Sequence, residues 1–271
     1  MKNLFFVTTD PAMALGVASW WKNTWIVTWQ RSKLVERLVL QGYKVWCLED
    51  FGMLEVKTPG HLLQSDKVKE FIEKESKGET PKVTVFKNST KIEQITKLEG
   101  YQLLANKVDL VSQIEDKFRL EDFVDSEFLV ENFKGRANDL LIKLPDYEKY
   151  VIQTNRGWAG SSTQICNSKE EAWDLLKNMA DRQIKISKFI DSKTYTLNAC
   201  ITKKRVLTSP LAWQINRPNA EWATRNSTTC GRQWDEDIDE NWKNEAVKIT
   251  EAVGSRLHDL KYLGYFGLDL I

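Results

Sequence analysis

The sequence predicts an α/β protein in which a layer of parallel strands and helices is followed by an α+β domain with an antiparallel sheet. One observation behind this is a βαβ pattern. Residues 3–8 and 24–29 are rich in β-branched and aromatic residues, residues 33–40 carry apolar side chains at helical spacing, and after Gln41-Gly42 a third strand-like run covers 43–48. Strand, helix, glycine and strand in that order favour parallel pairing with a right-handed crossover, hence a Rossmann-like first layer. The other observation is a set of β-rich runs, 183–190, 194–201 and 205–214, joined by the turns Asp191-Ser192-Lys193 and Lys203-Lys204. Connections that short imply antiparallel neighbours.

The remaining elements fit around these. Residues 65–76 read as a charged amphipathic helix and 82–86 as the strand after it, a further αβ repeat. Residues 92–98 and 107–123 have helical patterns, 126–139 reads as irregular, 238–260 as a long helix and 262–271 as a final strand. The Rossmann-like layer is expected over 1–105 and the second domain over 106–271, with a small subdomain at about 146–202. No G-x-G-x-x-G occurs in the first layer, so nothing there points to a dinucleotide.

Composition excludes several classes of function. With 271 residues, 42% of them apolar, and eleven Trp, the chain has ample material for a buried core. Thirty-nine basic against 38 acidic side chains leave a net charge of +1, which implies neither a nucleic acid nor a membrane surface as partner. The four cysteines are widely spaced without a CxxC pair, and the only histidines are His61 and His258. A zinc site or disulfide framework is therefore not expected, and a reducing, cytoplasmic location is. The apolar run at 4–7 is interrupted by Asp10 and Pro11 too early for a signal-peptide core, and no run is long enough to span a bilayer.

The segment that carries chemistry is 150–166. Two strand-like runs, 150–153 and 163–167, enclose a turn containing Gly157 and Gly160 and ending in Ser161, Ser162 and Thr163. Glycine permits close backbone approach and positive φ, and short hydroxyls donate to anionic oxygens, so such a turn can lie over a phosphate. It is not a P-loop. No Lys-Ser or Lys-Thr pair closes it, and a strand follows it, the next helix (173–179) opening only after the capping box Ser168-Lys169-Glu170-Glu171. Taken alone, a Gly/Ser hairpin tip is a plain turn more often than a ligand site.

The order of elements around the loop changes its meaning. A parallel layer, a Gly/Ser hairpin in a small antiparallel layer, a long helix and the strand Gly264-Tyr-Phe-Gly-Leu-Asp269 together resemble the ATP-grasp superfamily over most of the chain. The resemblance implies ATP and Mg2+ as cofactors, and a carboxylate–amine or carboxylate–thiol ligase that works through an acyl phosphate on small-molecule carboxylate and amine substrates. Gln153 stands where the family more often has a lysine, keeping a donor but losing a charge, with Arg156 as an alternative cation. Gly157, Gly160, Ser161, Ser162 and Thr163 would form the lid over the β- and γ-phosphates.

Further positions follow from the same resemblance. Ser187-Lys188-Phe189-Ile190 resembles the adenine hinge, whose Lys188 and Ile190 backbone groups would match the donor and acceptor on the base edge. Asp191 would serve the ribose, because Thr194 occupies the place of the family's glutamate. Asp116-Lys117 resembles the pair that sets a lysine against the phosphates. Arg217 and Arg232 are candidates for gripping a carboxylate or the transferred phosphoryl group, and Asp269 for an acidic group near magnesium. The family's returning Glu-x-Asn hairpin does not occur before Ile271, so the resemblance implies a C-terminally incomplete chain short of metal ligands. A nucleotide-binding protein of the same fold that does not ligate is the alternative, and a sheet-based interaction module anchored by Trp is a third.

Overall fold

A computed structural model describes residues 3–52, 56–157, 162–216, 229–234 and 237–271. The chain divides into two compact units, Met1–Asp109 and Leu110–Ile271. In the first unit, strands β1 (Leu4–Val7), β2 (Thr24–Thr28), β3 (Lys44–Cys47), β4 (Lys82–Thr84) and β5 (Gln102–Leu103) are all parallel in the order β3-β2-β1-β4-β5. β1 is central and buried throughout, which is why it reads as a continuous apolar run. Its side chains alternate between two cores. Phe5 and Val7 pack with Leu62 and Leu63 of α3 (Pro59–Gln64), Val68 and Ile72 of α4 (Asp66–Ser76) and Ile92 of α5 (Thr90–Leu98), while Phe6 packs with Ala18 of α1 (Leu15–Trp20) and Leu38 of α2 (Lys33–Leu40). Helices on both faces of a parallel sheet are the Rossmann-like layer that the βαβ pattern predicts.

The second unit contains two antiparallel sheets. The first has the order β6-β9-β7-β8, built from β6 (Asn132–Arg136), β7 (Tyr150–Thr154), β8 (Thr163–Cys166) and β9 (Gln183–Lys188). Tyr150, Ile152, Ile184 and Ile186 point from it to α7 (Ala137–Leu141) and α8 (Lys169–Met179), where they meet Leu140, Ala172 and Leu176. α8 opens as its sequence predicts: Ser168 accepts from Glu171 N–H at 3.2 Å, and the Glu171 carboxylate accepts from Asn167 N–H at 2.8 Å. Helix α6 (Val108–Ile114) precedes this sheet in the chain.

In the second sheet, β10 (Tyr195–Ile201) pairs with β11 (Val206–Thr208) and β12 (Ala212–Asn216) on one side and with β14 (Gly264–Leu270) along its whole length on the other. β13 (Thr229–Gln233) extends the sheet beyond β12. The helix α9 (Glu240–Asp259) covers one face. Leu197, Ile201, Phe266 and Leu268 meet its Ala246, Val253 and Leu257 there, which leaves Thr196, Asn198, Gly267 and Asp269 on the other face by alternation.

Four expectations from the sequence need correction. The helix expected over 107–123 stops at Ile114: the Asp116 side chain accepts from Phe118 N–H at 3.0 Å and starts a separate 3-10 turn, Lys117–Asp122, while Lys117 N–H donates to Asn155 O at 3.0 Å. The stretch expected to be irregular, 126–139, contains β6, whose short, charged and glycine-bearing run hides a strand paired with β9. The single strand expected over 205–214 is two. Pro210 has no N–H to give to a ladder, and pairing resumes at Ala212. Finally, 183–190 and 194–201 are not antiparallel neighbours, because β9 and β10 belong to different sheets and the short connection between them passes from one to the other. The first sheet accordingly spans Asn132 to Lys188.

Close approach of α9 to its sheet rests on Gly254. A Cβ placed there would lie 2.8 Å from both Val206 methyls and 3.3 Å from the Phe266 ring. Val206 is β-branched and cannot swing away. Overpacking costs about 1–3 kcal/mol, against a helix-propensity gain of about 0.5–1 kcal/mol for alanine over glycine. Gly254→Ala is therefore expected to lower the urea unfolding midpoint, with Val206→Ala in the same chain recovering part of the loss.

Candidate functional site

The candidate site begins where α6 breaks. Lys117 N–H is tied to Asn155 at the foot of the β7–β8 hairpin, and Lys117 Nζ donates to Ser162 Oγ on the returning strand side. Thr154 N–H donates to Ser162 O at 3.0 Å, so both edges of the hairpin are fixed at this level. Ser162 is buried, and burial pushes the Lys117 ammonium below its usual range while Asp269 opposes that shift. A desolvated ammonium whose hydrogen-bond partner is a neutral hydroxyl favours an anion beside it.

The polar face of the first sheet surrounds this point. Register places Lys134 of β6, Lys185 of β9, Gln153 of β7 and Thr163 of β8 in one cross-strand row, opposite the face carrying Ile152, Ile184 and Ile186. Gln153 Nε2 donates to Thr163 Oγ1 at 3.0 Å. Lys134 pairs with Glu121 at 2.6 Å and also donates to Phe118 O. Lys185 is half-buried, and its ammonium is pushed down first by burial and then by Lys134 and Lys117. Gly157 has φ of 150°, a backbone state that L side chains rarely adopt, at the point where the chain leaves β7 for the loop. Arg156 beside it is exposed.

The hinge expectation falls on the connection between the sheets. Phe189 N–H donates to Lys149 O at 3.0 Å, and the Lys149 ammonium lies 5.5 Å from the Phe189 ring centre. In an extended chain donors and acceptors alternate sides, so the Lys188 carbonyl and the Ile190 N–H face away from β7. Ile190 and Asp191 are exposed.

On the second sheet, Thr196 Oγ1 lies 2.9 Å from Asp269 Oδ1 and 3.0 Å from Gln214 Oε1, and it can donate its single proton to only one of them at a time. Arg232, the exposed cross-strand partner of Gln214, shares this face. A Cβ at Gly267, two residues before Asp269, would come within 2.9 Å of Asn198 Oδ1, so an alanine there would displace that side chain. Lys117 thus faces Ser162 of the hairpin and feels the charge of Asp269 on the other sheet. Gly160, Ser161 and Arg217 lie outside the described residues. Among the described residues no group of three or more His, Cys, Asp or Glu side chains is placed to hold a metal ion.

Two features elsewhere do not compete. A groove of about 580 Å³ lined by Val124, Phe128, Lys248 and Arg256 lies on α9 and includes none of these residues. Cys47, Cys166 and Cys200 are free, and burial raises each thiol, that of Cys47 to about 11, so none is a ready nucleophile. Sequence reasoning named Lys117 and Asp269 as candidates but not Lys134 or Lys185. The signal for these two was the alternation Ile184-Lys185-Ile186 opposite Phe133-Lys134, legible only once β6 is known to pair with β9.

No protein-family model matches the chain, and a comparison with curated proteins gives no match. Solved structures do resemble it. The N5-carboxyaminoimidazole synthetase of Staphylococcus aureus, complexed with ADP, superposes with a TM-score of 0.64 at 13% identity over 99% of this chain and 66% of its own. The biotin carboxylase domain of 2-oxoglutarate carboxylase from Hydrogenobacter thermophilus, in complex with magnesium ADP, ADP and bicarbonate, gives 0.67 at 8% identity over 99% and 60%. D-alanyl-alanine synthetase A from Vibrio cholerae gives 0.53 at 10% identity over 69% and 62%. The chain therefore spans under two thirds of the length of each of these three. At these identities the likeness is one of fold, and the chain has the ATP-grasp fold.

Proposed function

We propose that the protein binds ATP with Mg2+ between the two sheets of its second unit and acts as a carboxylate–amine or carboxylate–thiol ligase. The observation that carries this reading is the desolvated Lys117, attached to the Gly/Ser hairpin through Ser162 and set towards Asp269. A half-buried cation beside short hydroxyls suits phosphate oxygens. Asp269 and the Gln214 side-chain oxygen, both close to Thr196 Oγ1, are the hard oxygen donors that would hold a magnesium ion there. That ion, when bound, would neutralise charge between the phosphates.

On this reading a substrate carboxylate oxygen attacks the γ-phosphorus, the bond to ADP breaks, and an acyl phosphate forms. An amine nitrogen then attacks the carbonyl carbon, inorganic phosphate leaves, and the amine gives up a proton. Lys117 would steady the phosphate charge throughout, Arg156 and the lid residues Gly157 to Thr163 would cover it, and Arg232 with Arg217 would hold the carboxylate. Lys188 and Ile190 backbone groups, with the Phe189 ring behind them, would receive the adenine edge, and Asp191 the ribose. The first unit would serve as the layer that precedes the ATP-grasp domain. Free thiols at Cys47, Cys166 and Cys200 support a cytoplasmic location, and among the described residues no helix is long and apolar enough to cross a membrane.

A second reading, nucleotide binding without ligation, is favoured by one feature. Gln153 carries no charge and its amide is engaged by Thr163. Phosphate release dependent on ATP and magnesium, screened against mixed carboxylates and amines, separates the two. Release with one substrate pair supports the ligase, and nucleotide binding without release under any pair supports the second reading.

Lys117→Met is expected to lower kcat/KM for phosphate release by about 100-fold, the scale of losing one charge-stabilising donor. Chelation of magnesium by EDTA should abolish release from the unaltered protein. Asp269→Asn should raise the magnesium concentration needed for half-maximal rate, which a magnesium titration reads directly.

A further inference from the structure

We propose that Lys185 binds the polyphosphate of the nucleotide and supplies the positive charge that Gln153 lacks. The inference rests on the reading of this site as an ATP site and adds a phosphate ligand to it. Gln153 and Lys185 are direct cross-strand partners on β7 and β9, on the face that also holds Thr163 and Lys134. Side chains so paired have Cβ atoms about 4.5–5.5 Å apart. A lysine stem can carry its ammonium across that separation, so a charge missing at one strand can be delivered from the next.

The surroundings of Lys185 make it a cation in search of an anion. Among the described residues no hydrogen bond or ion pair is made to its ammonium. Lys134 and Lys117 both act on it as neighbouring positive charges, and Glu121, the carboxylate that opposes them, is already paired with Lys134 and is largely exposed. Lys117 is held by the neutral Ser162 hydroxyl. Burial makes the charged form of both Lys117 and Lys185 harder to keep. For a purely structural position on a strand, an apolar or small polar residue would avoid this repulsion at no loss of packing. A triphosphate laid along the row would satisfy Lys185 and Lys117 together.

The test compares ATP, in the presence of magnesium, with adenosine as ligands of the full chain by titration calorimetry. Lys185→Met is expected to weaken ATP about tenfold or more, the scale of one lost charged hydrogen bond, and to leave adenosine unchanged. The thermal midpoint of the ligand-free variant should be equal to or above that of the unaltered protein, because an unneutralised buried charge has been removed. The exchanged pair Gln153→Lys with Lys185→Gln should recover ATP affinity to within a few-fold, which also guards against a single variant that misfolds.

ATP binding unaltered by Lys185→Met, equal loss for ATP and adenosine, a lowered ligand-free midpoint, or no recovery in the exchanged pair each overturns the assignment of Lys185. Failure of the unaltered protein to bind ATP overturns both this assignment and the nucleotide reading beneath it. The two failures are therefore distinguishable.

Discussion

A half-buried ammonium attached to a hairpin constrains much of the second unit. Lys117 is desolvated, and desolvation of a charge is tolerated only where hydrogen bonds and opposite charge offset it. The hydrogen bond to Ser162 and the field of Asp269 do this from two different sheets. The backbone cooperates, because Lys117 N–H donates to Asn155 O at the foot of the same hairpin. Main chain and side chain of one residue therefore hold the loop base at two points, and the helix before it has to end at Ile114 to allow this.

Two sheets facing one site need a connection that does not pair them into one. β9 supplies Lys185 to the first sheet, and seven residues after Lys188 the chain is already in β10, whose Thr196 contacts Asp269 on the second. Had the segment folded as a hairpin, Lys188 to Asp191 would be a turn with its backbone groups facing solvent. As a crossing between sheets it leaves β9 with Phe189 N–H still bonded to Lys149 O, so the neighbouring Lys188 carbonyl and Ile190 N–H lie on the opposite edge. On β14, Gly267 leaves room for the Asn198 side chain of the facing strand, two pairs along from the Thr196–Asp269 contact.

Much of the fold was legible because local and tertiary preferences agreed. The helix at 33–40 has its serine cap and apolar spacing, and α8 has the predicted Ser168 cap, so pattern sufficed in both places. Where tertiary contacts outweighed local pattern, the sequence misled. Asp116 and the Asn155 carbonyl stop a helix that the apolar spacing alone would continue, and β6 exists because β9 offers it a ladder rather than because Asn132-Phe-Lys-Gly-Arg136 prefers a strand. At the site, Lys117 and Asp269 were visible through the order of motifs. Lys134 and Lys185 were not, since a lysine between apolar residues on a strand looks like an ordinary solvated face until its cross-strand partners are known.

Balanced composition also hides the field that matters. A net charge of +1 over the whole chain says nothing about a region where Lys117 and Lys134 both act on Lys185, with Glu121 and Asp269 as opposing charges. Like charges repel more strongly where water is partly excluded, and this repulsion adds to the burial that already disfavours the charged form of Lys185. Such a cluster works against folding, and two of its members, Lys134 on β6 and Lys185 on β9, stand on neighbouring strands. On the proposed reading, what offsets this arrangement is the binding of an anion with more than one charge, because a single partner would then neutralise several ammonium groups in one event. A polyphosphate meets that requirement in a way that one carboxylate cannot, and the hydroxyls of Ser162 and Thr163 at the edge of the cluster add donors of the length it would use.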